Sequence, residues 1–213
     1  MSVPKKNSVT VMKQLKDYVR VYDEVIDKDL AQQCIDLFES NTDKHDRVET
    51  ENMKPQFTQL NFTQLYKESE ESKIKHEPLH YLLQTAFMGC VNLYKTELGI
   101  GEDFPYEIAL EEFRIKKYNP DGLGQCDAPS GRPDQFAKHV DVLDYNSARR
   151  YLGFFLYLNE PDQGETVFPK WSQWIKPKCG RMMVFPPTWM FPHEGRPCRK
   201  FPKYIVGSYL HYL

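Results

Sequence analysis

The chain has 213 residues, 40% hydrophobic and 27% charged, a balance typical of a folded globular protein and too apolar for a disordered one. Its 28 Lys and Arg against 30 Asp and Glu leave a net charge of -2, without the basic surplus that nucleic-acid binding calls for. Five cysteines occur with no Cys-x-x-Cys pair, which excludes a zinc ribbon or a thioredoxin-like motif and argues against a secreted disulfide framework.

Residues 1–17 read as a polar lead-in that lacks the apolar stretch of a signal peptide. No window approaches a membrane span, so the expectation is a cytoplasmic chain engaging neither membrane nor nucleic acid. Tyr18–Ile26 reads as a short strand, and Asp27 then stands where a helix N-cap would. Leu30, Cys34, Ile35, Leu37 and Phe38 share one helical face beyond it. The charged stretch Ser40–Met53 and the acidic Glu68–Glu71 read as surface loops, and the alternation of Phe57–Thr63 as a half-buried strand. Pro78 suits a first helical position, and Leu79, Leu82, Leu83, Ala86, Phe87, Cys90, Val91, Tyr94 and Leu98 keep helical spacing up to Gly99. So broad an apolar face must pack on something large, most simply a sheet.

From Glu107 the pattern changes to strands near 107–118, 135–141, 150–158, 165–168, 181–185 and 203–212, separated by Pro- and Gly-rich turns. Short strands at this spacing predict an antiparallel sandwich or barrel with the helices against it. The predicted organisation is a lead-in over 1–17 and one domain over 18–213. Within that domain, 18–106 is a helical support region with flanking strands and 107–213 the core. The stretch Asp121–Gln135, rich in Gly, Pro and Asp, is long for a loop inside a domain and is expected to be a lid over a substrate.

His139 and Asp141, two apart on an extended segment, face the same side and can reach one ion. A His-x-Asp triplet is common by chance, and a surface histidine beside a solvated aspartate is its bland reading. His193, in the proline-rich segment after the apolar Met182–Phe185, completes two histidines and a carboxylate, the facial set that suits non-haem Fe(II). A closed His/Asp/His/Cys zinc site using Cys198 is the alternative. In the run 203–212, parity puts Lys203, Ile205, Gly207 and Tyr209 on one face. If that face is inward, Lys203 needs an anion such as a bound dicarboxylate. If it lies at the strand mouth, water serves.

Read in order, the pieces Lys117-Tyr118-Asn119-Pro120-Asp121-Gly122, His139-x-Asp141, Arg150–Asn159, Gly164–Pro169, Pro177–Arg181, His193 and Lys203-Tyr204 resemble the iron(II)- and 2-oxoglutarate-dependent dioxygenases, in their prolyl 4-hydroxylase branch. The resemblance implies an α+β fold, a double-stranded β-helix (jelly-roll) core with N-terminal support helices. It also implies a hydroxylase that converts 2-oxoglutarate and O2 to succinate and CO2, with ascorbate as an optional reductant. His139, Asp141 and His193 would bind iron, Lys203 would pair with the distal carboxylate of 2-oxoglutarate, and Tyr118 and Tyr157 would help hold it. Arg150 and Tyr209 match positions that contact substrate, although the family usually carries Trp where this chain has Tyr209. Asp141, where a halogenase would have a small residue, argues for hydroxylation. The implied substrate is a prolyl residue in a peptide or protein. A small molecule such as a free amino acid is the second reading, and a non-catalytic metal-binding β-barrel a third. For a regular strand, Arg150 has the wrong parity relative to Tyr157, so it would need to precede the strand or follow a bulge.

Overall fold

The computed structural model describes residues 14–50, 55–120 and 133–213. Helix α1 (Lys28–Ser40) begins as the sequence predicts, the Asp27 carboxylate accepting the Leu30 N–H at 2.8 Å. A short helix absent from the sequence reading, α2 (Phe62–Lys67), follows Asn61, whose side chain accepts the Gln64 N–H. The long helix α3 (Glu70–Leu98) starts eight residues before Pro78, which corrects two expectations. Ser69 is its N-cap, accepting from Ser72 N–H, and Glu70 and Glu71 form its first turn rather than a loop, where acidic side chains complement the helix dipole. Pro78 sits inside the helix. The carbonyl left without a donor is that of Ile74, a residue that is 74% exposed. Gly99 closes α3 in the left-handed conformation at φ 65°.

The strands are β1 (Arg20–Tyr22), β2 (His45–Glu49), β3 (Gln56–Asn61), β4 (Ile108–Leu110), β5 (Arg114–Tyr118) and β6 (Phe136–His139). They continue as β7 (Arg150–Tyr157), β8 (Thr166–Phe168), β9 (Gln173–Ile175), β10 (Met182–Phe185), β11 (His193–Gly195) and β12 (Lys203–Tyr212). The predicted strand 18–26 shrinks to β1 behind a 3-10 turn at Leu15–Tyr18. The predicted strand 107–118 is two strands that flank β12 in succession. The charged stretch read as loop contains β2, an edge strand on β3, a position where charged residues are tolerated because one side faces water.

Among the described residues the strands make two antiparallel sheets, an eight-stranded one ordered β1-β10-β7-β12-β5-β3-β2 with β4 also on β12, and a four-stranded one ordered β6-β11-β8-β9. Period-two alternation decides what each face of the large sheet meets. Leu152, Phe154 and Leu156 of β7, with Tyr204, Val206 and Leu210 of β12, pack on Leu83, Phe87, Val91 and their neighbours from the helices. The alternate residues Phe155, Tyr157 and Ile205 turn the other way and pack with Phe168, Ile175 and Phe191 carried by the small sheet and its loops. Leu82, expected in the greasy stripe of α3, is instead 46% exposed. The space between the two sheets is where the chemistry-bearing residues converge.

One turn fixes how the N-terminal segment meets this core. Gly180 has φ +76°, its carbonyl accepts the Val25 N–H at 2.9 Å, and a Cβ there would lie 2.3 Å from the Ile26 carbonyl oxygen. Gly180→Ala is therefore expected to destabilise by about 3 kcal/mol. Calorimetry should show Tm lower by roughly 6–12 °C for a chain of this size; an unchanged Tm would mean the turn relaxes freely.

Candidate active site

His139 ends β6 and His193 opens β11, and the two are direct partners across that antiparallel pair. Asp141 follows two residues later, its backbone N–H donating to the Pro187 carbonyl at 3.1 Å. One ligand atom from each of the three lies within 4.8 Å of the others. His139 Nε2 is 3.3 Å from Asp141 Oδ1, and His193 Nε2 is 3.7 Å from Oδ2. Both imidazoles are oriented by a carbonyl two residues back, Nδ1 of His139 facing Ala137 O at 2.9 Å and Nδ1 of His193 facing Phe191 O at 3.1 Å. A carbonyl only accepts, so each Nδ1 carries the proton and each Nε2 turns a lone pair inward. Burial pushes His193 down to about 4, which keeps it neutral. Burial alone would raise the Asp141 carboxyl, but the charge and hydrogen bond the two histidines supply when protonated, together with Lys116, outweigh it and hold the group below the ordinary carboxylate range. His139 Nε2, His193 Nε2 and Asp141 Oδ2 are buried without a hydrogen-bond partner among the described residues. Three buried lone-pair donors with no proton among them fit a divalent cation, and the N2O donor set fits iron. Cys198 is not part of this cluster; it lies against Gly164 and Lys203, so the zinc alternative loses its fourth ligand.

Next to the donors a narrow cavity between the sheets is lined by Tyr118, Tyr157, Thr166, His193 and Lys203, among others. Lys203 is 2% exposed, so of the two placements the sequence left open it takes the inward one. Its Nζ donates to Gly164 O at 2.8 Å and lies 4.5 Å from the centre of the Tyr118 ring, its register partner on β5. No carboxylate of a described residue is within ion-pair distance of it, and burial lowers its pKa. Gly164 makes this approach feasible: at φ +102°, a Cβ would meet Cys198 Sγ at 2.7 Å and Lys203 Cδ at 3.3 Å. Tyr157, fully buried, shares a 2.7 Å hydrogen bond with Thr166 Oγ1, and burial raises both tyrosines' pKa so that they stay neutral donors. The cavity thus offers one buried ammonium and several hydroxyls to an acid.

A wider pocket opens on the other side of the donors, lined by Arg150, Tyr209, Arg114, Lys116, Asp141 and Leu143, among others. Arg150 reaches it because β7 is bulged. Leu210 pairs with Leu152 but His211 pairs with Arg150, so Tyr151 is the extra residue and the parity discrepancy disappears. The Arg150 guanidinium lies 4.2 Å over the Tyr209 ring and is held by Glu111 at 2.7 and 2.9 Å. All eight residues singled out from the sequence therefore line one of these two adjoining spaces or form the donor cluster.

Lys116 and Thr166 also line the site, and the sequence reading missed both. Parity could have found Lys116, two residues before Tyr118 on the same strand face. Thr166 needed the packing of β8 across from Tyr157 of the other sheet, which sequence does not reveal. Of the tryptophans, Trp171 packs on Phe168 and Phe191, while Trp174 and Trp189 are 53% and 74% exposed. The expected lid over 121–135 and Cys126 fall mainly on residues 121–132, outside those described. At its base, buried Asp134 accepts from Asn119 N–H at 2.9 Å and from Arg47 at 2.7 and 3.0 Å.

The fold resembles several solved structures. A viral collagen prolyl hydroxylase from Paramecium bursaria Chlorella virus-1, solved with 2-oxoglutarate, is 18% identical, with a TM-score of 0.64 over 92% of this chain and 97% of that one. A Trichoplax adhaerens prolyl hydroxylase in complex with a hypoxia-inducible-factor peptide fragment is 14% identical, with a TM-score of 0.65 over 92% and 84%. A Pseudomonas putida prolyl-4-hydroxylase is 16% identical, with a TM-score of 0.56 over 92% and 93%. No curated protein matches the sequence. Residues 128–211, which span the donor cluster, Tyr157 and Lys203, match the 2OG-Fe(II) oxygenase superfamily. That segment is similar to the 2OG-Fe(II) oxygenases, and the donor trio with its adjoining cavity fits the Fe(II), 2-oxoglutarate and O2 that such enzymes use.

Proposed function

We propose that the protein hydroxylates an unactivated C–H of a prolyl residue in a peptide or protein, and that its two sheets form the double-stranded β-helix of this enzyme class. The observation that carries the reading is the buried donor trio, without hydrogen-bond partners among the described residues, placed between a cavity whose buried ammonium, Lys203, has no carboxylate among the described residues and an open, cation-lined pocket. In this reading His139, Asp141 and His193 hold Fe(II) on one face, and the metal supplies the site where 2-oxoglutarate chelates and O2 is reduced. Lys203 pairs with the distal carboxylate, and the Tyr118 and Tyr157 hydroxyls orient the chain of the co-substrate. Phe155 and Phe185, whose rings are 5.9 and 4.8 Å from His193, exclude water from the reacting side. Arg150 and Tyr209 position the substrate at the mouth.

A peptide is favoured over a small molecule by the rim. Leu143 and Trp189 are 78% and 74% exposed, on segments tied together where Asp141 and Val142 N–H donate to Pro187 O. Exposed apolar groups bordering a pocket fit an extended chain better than a free amino acid. The test needs no substrate. Anaerobic Fe(II)-loaded protein given 2-oxoglutarate should develop the weak visible charge-transfer band of the chelate, and Asp141→Ala and Lys203→Ala should lose or weaken it. Wild-type protein that binds iron yet shows no band would point to a metal-binding barrel without this chemistry.

A further inference from the structure

Strand β5 turns Arg114, Lys116 and Tyr118 toward the site, and Lys116 lines both spaces at once. Of the three cations around the outer pocket, Arg114 is held by Glu112 at 2.6 Å and Arg150 by Glu111. Lys116 Nζ makes no hydrogen bond or ion pair with any described residue. It lies 4.7 Å from the centre of the Phe57 ring. A Cβ at Gly207 would sit 3.7 Å from its Cε and Nζ; Gly207 is two residues along β12 from Ile205, the direct partner of Lys116, on the side away from Lys203. The ammonium therefore leans toward the substrate mouth rather than toward the Lys203 end.

Charge balance gives this position meaning, and the argument rests on the proposed function. With iron and 2-oxoglutarate bound, the two charges of the metal and the one of Lys203 are balanced by Asp141 and the two carboxylates of the co-substrate. Lys116 is then the surplus charge in a half-buried setting, where an unmatched ammonium is unfavourable. We propose that Lys116 is a specificity residue that binds a carboxylate of the substrate, so that the enzyme selects an acidic prolyl substrate. The carboxylate can come from an Asp or Glu flanking the proline or from the α-carboxylate of a free imino acid, a shared chemistry that the test separates.

The probes are two pools of end-capped pentapeptides with a central proline, one pool bearing Glu at one of the four flanking positions and the other Gln at the same positions. L-proline and prolinamide form a second pair. Calorimetry on anaerobic Mn(II)- and 2-oxoglutarate-loaded protein should give at least a tenfold preference for the Glu pool. Lys116→Met should abolish the preference, and Lys116→Arg should retain most of it. A preference confined to L-proline over prolinamide would assign the α-carboxylate as the source. The idea is overturned if wild type binds the members of both pairs equally or not at all, or if Lys116→Met keeps the preference. It is overturned too if that variant instead raises the 2-oxoglutarate dissociation constant tenfold, which would place Lys116 on the co-substrate. The charge-transfer band keeps the two readings apart: a band without a carboxylate preference sinks this inference alone, whereas no band in wild type sinks the proposed function with it. The Arg variant separates charge from folding.

Discussion

Lys203→Met is expected to weaken 2-oxoglutarate binding by about a hundredfold or more while leaving the metal-free protein nearly as stable as wild type. The first half follows from burial. Lys203 is enclosed and has no carboxylate among the described residues, so on the proposed reading the co-substrate is the anion that matches it. Breaking a desolvated charge pair costs about 3–5 kcal/mol, and 1.4 kcal/mol is tenfold. The second half follows from what the free protein does with the same side chain. Its one close hydrogen bond goes to Gly164 O, about 1 kcal/mol net, and losing it is offset by no longer burying an ammonium. Methionine fills the same volume. Titrating the charge-transfer band would give the dissociation constant, and calorimetry of the apo protein would give the Tm. If iron affinity falls as far as co-substrate affinity does, Lys203 is structural.

Asp141→Ala is expected to remove detectable metal-dependent turnover and to cut Fe(II) affinity by more than the 10- to 100-fold typical of losing a group that merely supports a ligand. Asp141 is the one anion of the donor trio, and both imidazoles aim at it. Without it, two neutral nitrogens remain. Because the neighbours of Asp141 favour the charged carboxylate in the folded chain, the apo variant should be somewhat less stable than wild type at neutral pH. The stabilisation that Fe(II) confers on wild type, about 2.7 kcal/mol at a hundredfold excess over the dissociation constant, should vanish. Scanning calorimetry with and without Fe(II), under nitrogen, reads both. A variant that still gains Tm with iron would show that the carboxylate is dispensable.

Much of the site was legible because it is written in short-range patterns. Strand parity is local, so the shared face of Lys203 and Tyr209 follows from spacing, whereas which face is inward does not, and Asp141 reaches His139 from beyond the end of β6. The same parity argument left Arg150 either ahead of the strand or beside a bulge, and the register between β7 and β12 contains a bulge at Tyr151. Long-range facts were not legible. That Glu111 would hold Arg150 depends on segments distant in sequence, and the Thr166 contact of Tyr157 on how two consecutive strands in different sheets face each other. Local rules also failed where two of them competed. Pro78 looked like a helix start because proline lacks an N–H, yet Ser69 supplied a better cap and the helix tolerated one lost bond at an exposed residue. The charges of 45–49 masked a strand because an edge strand can afford them.

The register that sets His139 opposite His193 has a further consequence. An ion held by both would be a rivet through β6 and β11, neighbours whose pairing is brief and irregular. Hydrogen exchange in these strands should slow sharply when metal is added, while the helix-backed strands β7 and β12 change little. A chain whose least secure sheet is fastened by its own cofactor is exposed to proteolysis when iron is scarce. Iron supply would then set how long the protein persists as well as whether it works.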